Sequence, residues 1–176
     1  FDEADGAANR DAIRGAVRTI LERNAVPVLL GGDDSIPIPM LQAIGDMAGD
    51  RKFTILQIAA HIDWRETHMD ERMGLSSTMR RASEMEHIER IVQVGARGIG
   101  SAATSDYEDA VQCGVSFVPA RELHRSGVQK ALRLIPEGSD IIVCVDADAI
   151  DPSLVPGVIG RSPGGLSYDE ITDLIR

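Results

Sequence analysis

The run Ile141-Ile142-Val143-Cys144-Val145 constrains the chain more than any other stretch. A short, mostly β-branched apolar run is the signature of a strand buried on both faces of a parallel sheet. It ends abruptly in Asp146, Asp148 and Asp151. Side chains alternate along a strand, so Asp146 and Asp148 are expected on one side, at the carboxyl edge where open α/β sheets place their ligands. Like charges that close call for a counter-charge, and a divalent metal is the usual one.

The rest of the chain alternates helix-period and strand-period segments. Ile13, Val17, Ile20 and Leu21 recur at helical spacing and predict an amphipathic helix over residues 9–24. Strands are expected at 26–30, 53–59, 91–94 and 115–118, besides the one ending at Asp146. Helices are expected at 37–47, 76–85, 103–112 and 120–134, and another from Tyr168. Five strands alternating with helices predict one α/β domain over residues 1–176, a three-layer α/β/α sandwich around a parallel sheet. Phe1 enters abruptly and Arg176 falls within the first turns of a helix, so this chain is expected to be the central part of a longer one, incomplete at both ends.

Composition removes several classes of function. A net charge of −10 leaves no basic footprint for nucleic acid, and aromatics at 3% offer no stacking platform. No apolar run is long enough to span a membrane, and there is no basic-then-apolar leader pattern. The two cysteines, Cys113 and Cys144, do not suggest a disulfide frame, so a reducing, cytoplasmic setting is expected. The segment Gly95-Ala96-Arg97-Gly98-Ile99-Gly100 lacks the Gly-x-Gly-x-x-Gly spacing of a dinucleotide site.

Polar chemistry collects at three strand ends. Gly31-Gly32-Asp33-Asp34-Ser35 alone reads as a glycine turn with a helix cap. His61 and Asp63 share a face after the second strand, a weak signal because a satisfied structural histidine is commoner than a ligand. Convergence raises the functional reading: three strand ends on one edge gather Asp34, His61, Asp63, Asp146 and Asp148. Four carboxylates and an imidazole form a hard donor set suited to Mn, Ni or Zn.

These residues carry a resemblance to the ureohydrolases, the arginase and agmatinase family. The matching segments are Gly31 to Ser35, Ala59 to Asp63, Ser76 to Thr78, and the long stretch from Asp146 through Pro156-Gly157 to Gly164-Gly165-Leu166. The resemblance implies an eight-stranded parallel sheet, trimers or hexamers, and a two-metal centre acting on guanidinium or amidine carbons with release of urea. It also implies that Glu170 matches an acidic residue that pairs with the substrate guanidinium.

The departures are equally specific. Asp34 stands where the family has a ligand histidine, and Ala59 where it has an aspartate bridging both metals. Ser76 stands at or beside the family's histidine near the substrate, and serine does not shuttle protons at neutral pH. Two readings follow. In one, the chain is a metal-dependent agmatinase-like hydrolase working with a reduced site, one metal being held by His61, Asp146 and Asp148 or by Asp34, Asp63 and Asp146. In the other, which the three losses favour, it is a non-catalytic subunit that kept the fold and assembles with an active paralogue, as in heteromeric guanidine or biguanide hydrolases of the metformin type. Without metal the acidic cluster needs another counter-charge, and Arg161 is the expected candidate. Arg97, Arg65, Glu66 and His68 are expected to be structural or surface groups.

Overall fold

A computed structural model describes residues 6–98 and 102–176. The abrupt Phe1 entry and the Ile99-Gly100 end of the glycine-rich segment lie outside the described residues. Helix α1 (Gly6–Glu22) packs on α2 (Pro37–Ala48) and is tied to it by Arg14, whose guanidinium grips Asp46 at 2.6 and 2.8 Å. Helix α1 stops just before Asn24, which takes the left-handed backbone (φ 55) that closes a helix.

Strands β1 (Phe53–Ile58), β2 (Ile88–Val94), β3 (Ser116–Val118) and β4 (Asp140–Val145) form one parallel sheet in the order β3-β2-β1-β4. The central strand β1 is buried along its whole length. Helices α2, α3 (Thr78–Ser83) and α4 (Thr104–Gln112) cover one face, packed on Phe53, Ile55, Ile91 and Ile142. Helices α5 (Ala120–Ser126), α6 (Gln129–Leu132) and α7 (Tyr168–Ile175) cover the other, packed on Leu56, Ile58, Val92, Val94 and Val118. The expected three layers are therefore present. No helix among the described residues is long and apolar enough to cross a membrane.

Three local expectations need correction. The helix expected over 120–134 is two helices, because Gly127 (φ 75) breaks it. Residues 26–30 run without regular structure and pair with no strand among the described residues, leaving Val26, Val28 and Leu30 exposed at 85, 73 and 90%. A cleft of about 900 Å³ separates this segment from β4. Finally, β4 ends at Val145, so strand alternation does not set Asp146 and Asp148. Asp146 instead caps a short 3-10 turn, Ala147–Ala149, by accepting the Asp148 N–H at 2.9 Å.

Candidate functional site

The carboxyl ends of β1, β2 and β4 build the site. Gly31 (φ 98) and Gly32 (φ 74) both need the left-handed backbone that glycine adopts freely, and they turn the chain so that Asp34 faces the sheet edge. Thr78, at the start of α3, donates its hydroxyl to the Asp34 carbonyl. After β1 the chain turns sharply at Asp63 (φ 48), whose carbonyl accepts the N–H groups of Met79 and Arg80.

Two subclusters result. In the first, the buried Asp63 carboxylate accepts a 2.7 Å hydrogen bond from Gln57, and Gln57 in turn accepts one from Gln93. Gln93 also donates to the Ile62 carbonyl at 2.7 Å. Asp34 lies against this group. Burial first, then the charges of Asp63 and Asp146, push its carboxyl up to about 9. Its Oδ2 is buried with no donor in reach, which suits a protonated carboxyl turned on Asp63 better than a bare carboxylate. Burial also raises Asp63, against the stabilising bond from Gln57.

In the second subcluster, Asp148 is buried and accepts the Ala60 N–H at 2.8 Å and His61 Nδ1 at 2.6 Å. The hydrogen bond to Asp148 is the chief reason that His61 is raised, burial opposing it. The loop after β4 folds over this histidine, and a methyl group on Gly160 would sit 2.7 Å from the ring. Asp146 adds its charge to both subclusters and is itself raised by burial.

The structure thus brings Asp34, Asp63 and Asp146 into electrostatic contact and pairs His61 with Asp148. It does not gather them as a metal cage. Among the described residues, no three His, Cys, Asp or Glu side chains are placed to hold a metal ion. The donor chemistry agrees: Ala59, buried at the end of β1, presents only a methyl group, while Asp63 and Asp148 are each engaged by protein donors. The residues present do not fit a two-metal centre.

The other expected site residues lie elsewhere. Ser76 (φ 67) serves through its carbonyl, which accepts the Arg65 N–H at 2.9 Å. Glu170 is the N3 residue of a capping box on α7: one oxygen accepts from the Ser167 N–H and hydroxyl, and the other meets His124 Nδ1 at 2.8 Å. Glu66 is a hub that pairs with Arg72, Arg80 and Arg81 and so holds its loop to α3. Arg161 is exposed, and among the described residues the ion pair within the acidic cluster is that of His61 with Asp148. The cationic contact falls to Arg97, whose guanidinium donates to the carbonyls of Asp148 (2.6 Å), Ala149 (3.1 Å), Gly95 (3.2 Å), Ile150 (3.4 Å) and Ser162 (2.9 Å). Asp151 is a loop staple, accepting from Ser153, Gly164 and Gly165.

Sequence reasoning missed Gln57, Gln93 and His124. The glutamines carried a signal, because each is the lone amide in an otherwise apolar stretch of strand, and the register sets them opposite one another. His124 carried none, being one polar residue on an amphipathic helix.

The His124–Glu170 pair makes a pH prediction. The bond to Glu170 is the main influence raising His124 from 6.5, with burial opposing. For Glu170 burial is the largest single influence and pushes upward, but the bonds from Ser167 and His124 together outweigh it and lower the carboxyl from 4.5. A raised histidine stabilises the fold below its ordinary value, and that contribution disappears as pH rises through the raised one. A lowered glutamate stabilises above its ordinary value and loses this as pH falls through the lowered one. The pair therefore contributes most between pH 4.5 and 6.5. His124→Asn is expected to lower the melting temperature more at pH 5.5 than at pH 8.5; an equal drop at both would assign the effect to packing.

A parallel α/β/α sandwich with carboxylates and an imidazole on its carboxyl rim defines the class. The chain belongs to the arginase family, whose sequence profile matches residues 2–176. It is 34% identical over 149 residues to an N(1)-aminopropylagmatine ureohydrolase of Thermus thermophilus, covering 85% of this chain and 48% of that protein. It is 30% identical over 187 residues to a guanidinobutyrase of Pseudomonas aeruginosa, covering 99% and 58%. The solved arginase of Medicago truncatula superposes with a TM-score of 0.86 at 29% identity, covering 98% of this chain and 54% of that one. The chain spans about half the length of the curated relatives it matches.

Proposed function

We propose that this chain is a non-catalytic or structural subunit of an oligomeric, heteromeric hydrolase acting on guanidino or amidine C–N bonds, its active partner being a metal-bearing paralogue. The observation that carries this reading is the state of the rim. A methyl group replaces a carboxylate at Ala59, Asp63 accepts from Gln57, and Asp148 accepts from the Ala60 N–H and is paired with His61. Carboxylates already engaged by protein donors, as Asp63 and Asp148 are, gain less from a cation. The names of the relatives, a ureohydrolase and a guanidinobutyrase, support the substrate class.

Elemental analysis and a urea-release assay test it, on the natural protein purified alone and with a co-expressed paralogue. The expected result is no bound Mn or Ni and no urea release alone, with activity only in the mixed assembly. Two equivalents of either metal per chain, with urea release from the lone protein, would overturn the reading. Restoring the donors with Ala59→Asp and Asp34→His is expected to raise metal uptake to at least one equivalent.

A further inference from the structure

The base of the sheet carries a histidine that the rim chemistry does not use. His87 directly precedes β2, and its carbonyl accepts the Phe53 N–H at 2.8 Å, so it sits where β1 and β2 begin, at the end opposite the rim. On one side its ring meets that of Phe53 in a T-shaped contact, with centroids 6.1 Å apart at 82°. On the other it meets helix α2 at Gly45, where a methyl group would lie 2.4 Å from the ring Cε1 and 2.5 Å from Nδ1. Glycine inside a helix costs roughly 1 kcal/mol relative to alanine. Here it opens the notch that seats the imidazole against the helix backbone.

The surroundings hold the ring neutral. Its Nε2 is buried with no hydrogen-bond partner among the described residues, which suits the bare nitrogen of a neutral imidazole and not a charged N–H. Nearby charges offer little compensation. Asp46, on α2, is gripped by Arg14. Lys52, just before β1, donates to the Glu86 carbonyl at 2.9 Å, and Arg51 stacks over the Phe53 ring and pairs with Asp140. Glu86 and Glu89 are exposed, and Glu84 is taken by Arg72 and Arg81. Burial is the main influence on His87 and lowers its pKa from 6.5, with Lys52 adding to this and the Leu41 carbonyl and Asp46 opposing.

We propose that His87 is an acid-sensitive latch between the α1–α2 pair and the sheet. Neutral, the ring fills the notch at Gly45. Protonated, it leaves the notch for water, and α2 loosens together with residues 33–36 at its head, which carry Asp34 to the rim. A histidine whose folded value is lowered gives stability that is complete above its ordinary value and erodes as pH falls below it. The latch is therefore closed above pH 6.5 and opens progressively below it. Acidity at the base of the sheet thus governs how firmly one arm of the rim is held. This inference is independent of whether the subunit is catalytic.

Amide hydrogen exchange of the natural protein and of His87→Phe, at pH 7.5 and 5.5 and corrected for intrinsic rates, tests it. Phenylalanine keeps a ring in the notch and removes the charge. Between the two pH values, protection of the α2 amides is expected to fall about fivefold more in the parent than in the variant, while the β1 amides behave alike in both. An equal fall in both proteins, or none in the parent, would overturn the proposal. Titration of the natural protein by NMR is the second measurement and does not depend on the variant folding. The His87 ring is expected to titrate below 6.5, with the amides of Leu41 and Gly45 shifting at the same midpoint. A midpoint at or above the ordinary value, or α2 amides that do not follow it, would equally overturn the latch.

Discussion

Replacing Gly165 with alanine is expected to destabilise the protein by about 3 kcal/mol, with a loss of roughly 10 °C in melting temperature. The new methyl carbon would lie 2.4 Å from the Asp151 nitrogen, 2.5 Å from its Cα and 2.6 Å from the Ile150 carbonyl carbon. These are backbone atoms, so no side-chain rotation relieves the clash. The same backbone carries the pairing between Ile150 and Leu166, with the Asp151 N–H donating to the Leu166 carbonyl and the Leu166 N–H to the Ala149 carbonyl. Separating the two segments breaks that pairing and pulls the bonds to Asp151 apart with it. Gly164→Ala provides the internal comparison. That position has φ 78 but open space around it, so the cost is only the left-handed strain of about 1 kcal/mol. Thermal melts of the two variants should differ severalfold in effect; equal shifts would remove the close approach as the cause.

Arg97→Met is expected to cost on the order of 3 kcal/mol and to expose the loop over residues 152–163 to proteolysis. One guanidinium serves five carbonyl oxygens from the β2 end, the 3-10 turn and the far loop. Methionine fills the space but removes all five of these bonds, and of the five carbonyls that of Ala149 still accepts the Leu166 N–H. Burial is the main influence on the guanidinium and lowers its pKa, with the charges of Asp148 and Asp151 opposing. Arg97→Lys is expected to recover less than half the loss, because an ammonium cannot reach carbonyls spread around a planar fork. Urea denaturation measures the first effect and timed protease digestion the second. A lysine variant as stable as the parent would show that charge alone, and not the fork, holds the loop.

Much of the fold was legible because apolar runs and helical periods are local signals. The runs at residues 53–58 and 141–145 became β1 and β4, and the period of Ile13, Val17 and Ile20 became α1. Residues 26–30 carried the same β-branched signal, yet a strand is a pairing and not a property of five residues; their neighbours in space decide whether a ladder forms. The site was legible as a set of residue types but not as contacts. Asp146 and Asp148 were expected together for a reason that fails, since a capped turn and not strand alternation joins them. Arg161 and Arg97 are equally cationic in sequence. Only the return of the chain from Asp151 to Gly164 shows that Arg97 lies under the loop, whereas Arg161 faces solvent.

The amide pair buried between the two central strands has a consequence for assembly of the sheet. Gln93 reaches the Gln57 side-chain carbonyl oxygen only at the observed alignment. A slip of β2 by one residue would turn Gln93 to the opposite face and leave Gln57 Oε1 without its donor, at a penalty of about 1–3 kcal/mol for each group left unpaired. Two modest polar groups thus act as an alignment key, and since His61 and Arg97 leave the sheet just beyond them, the key also sets the height at which both side chains meet the rim.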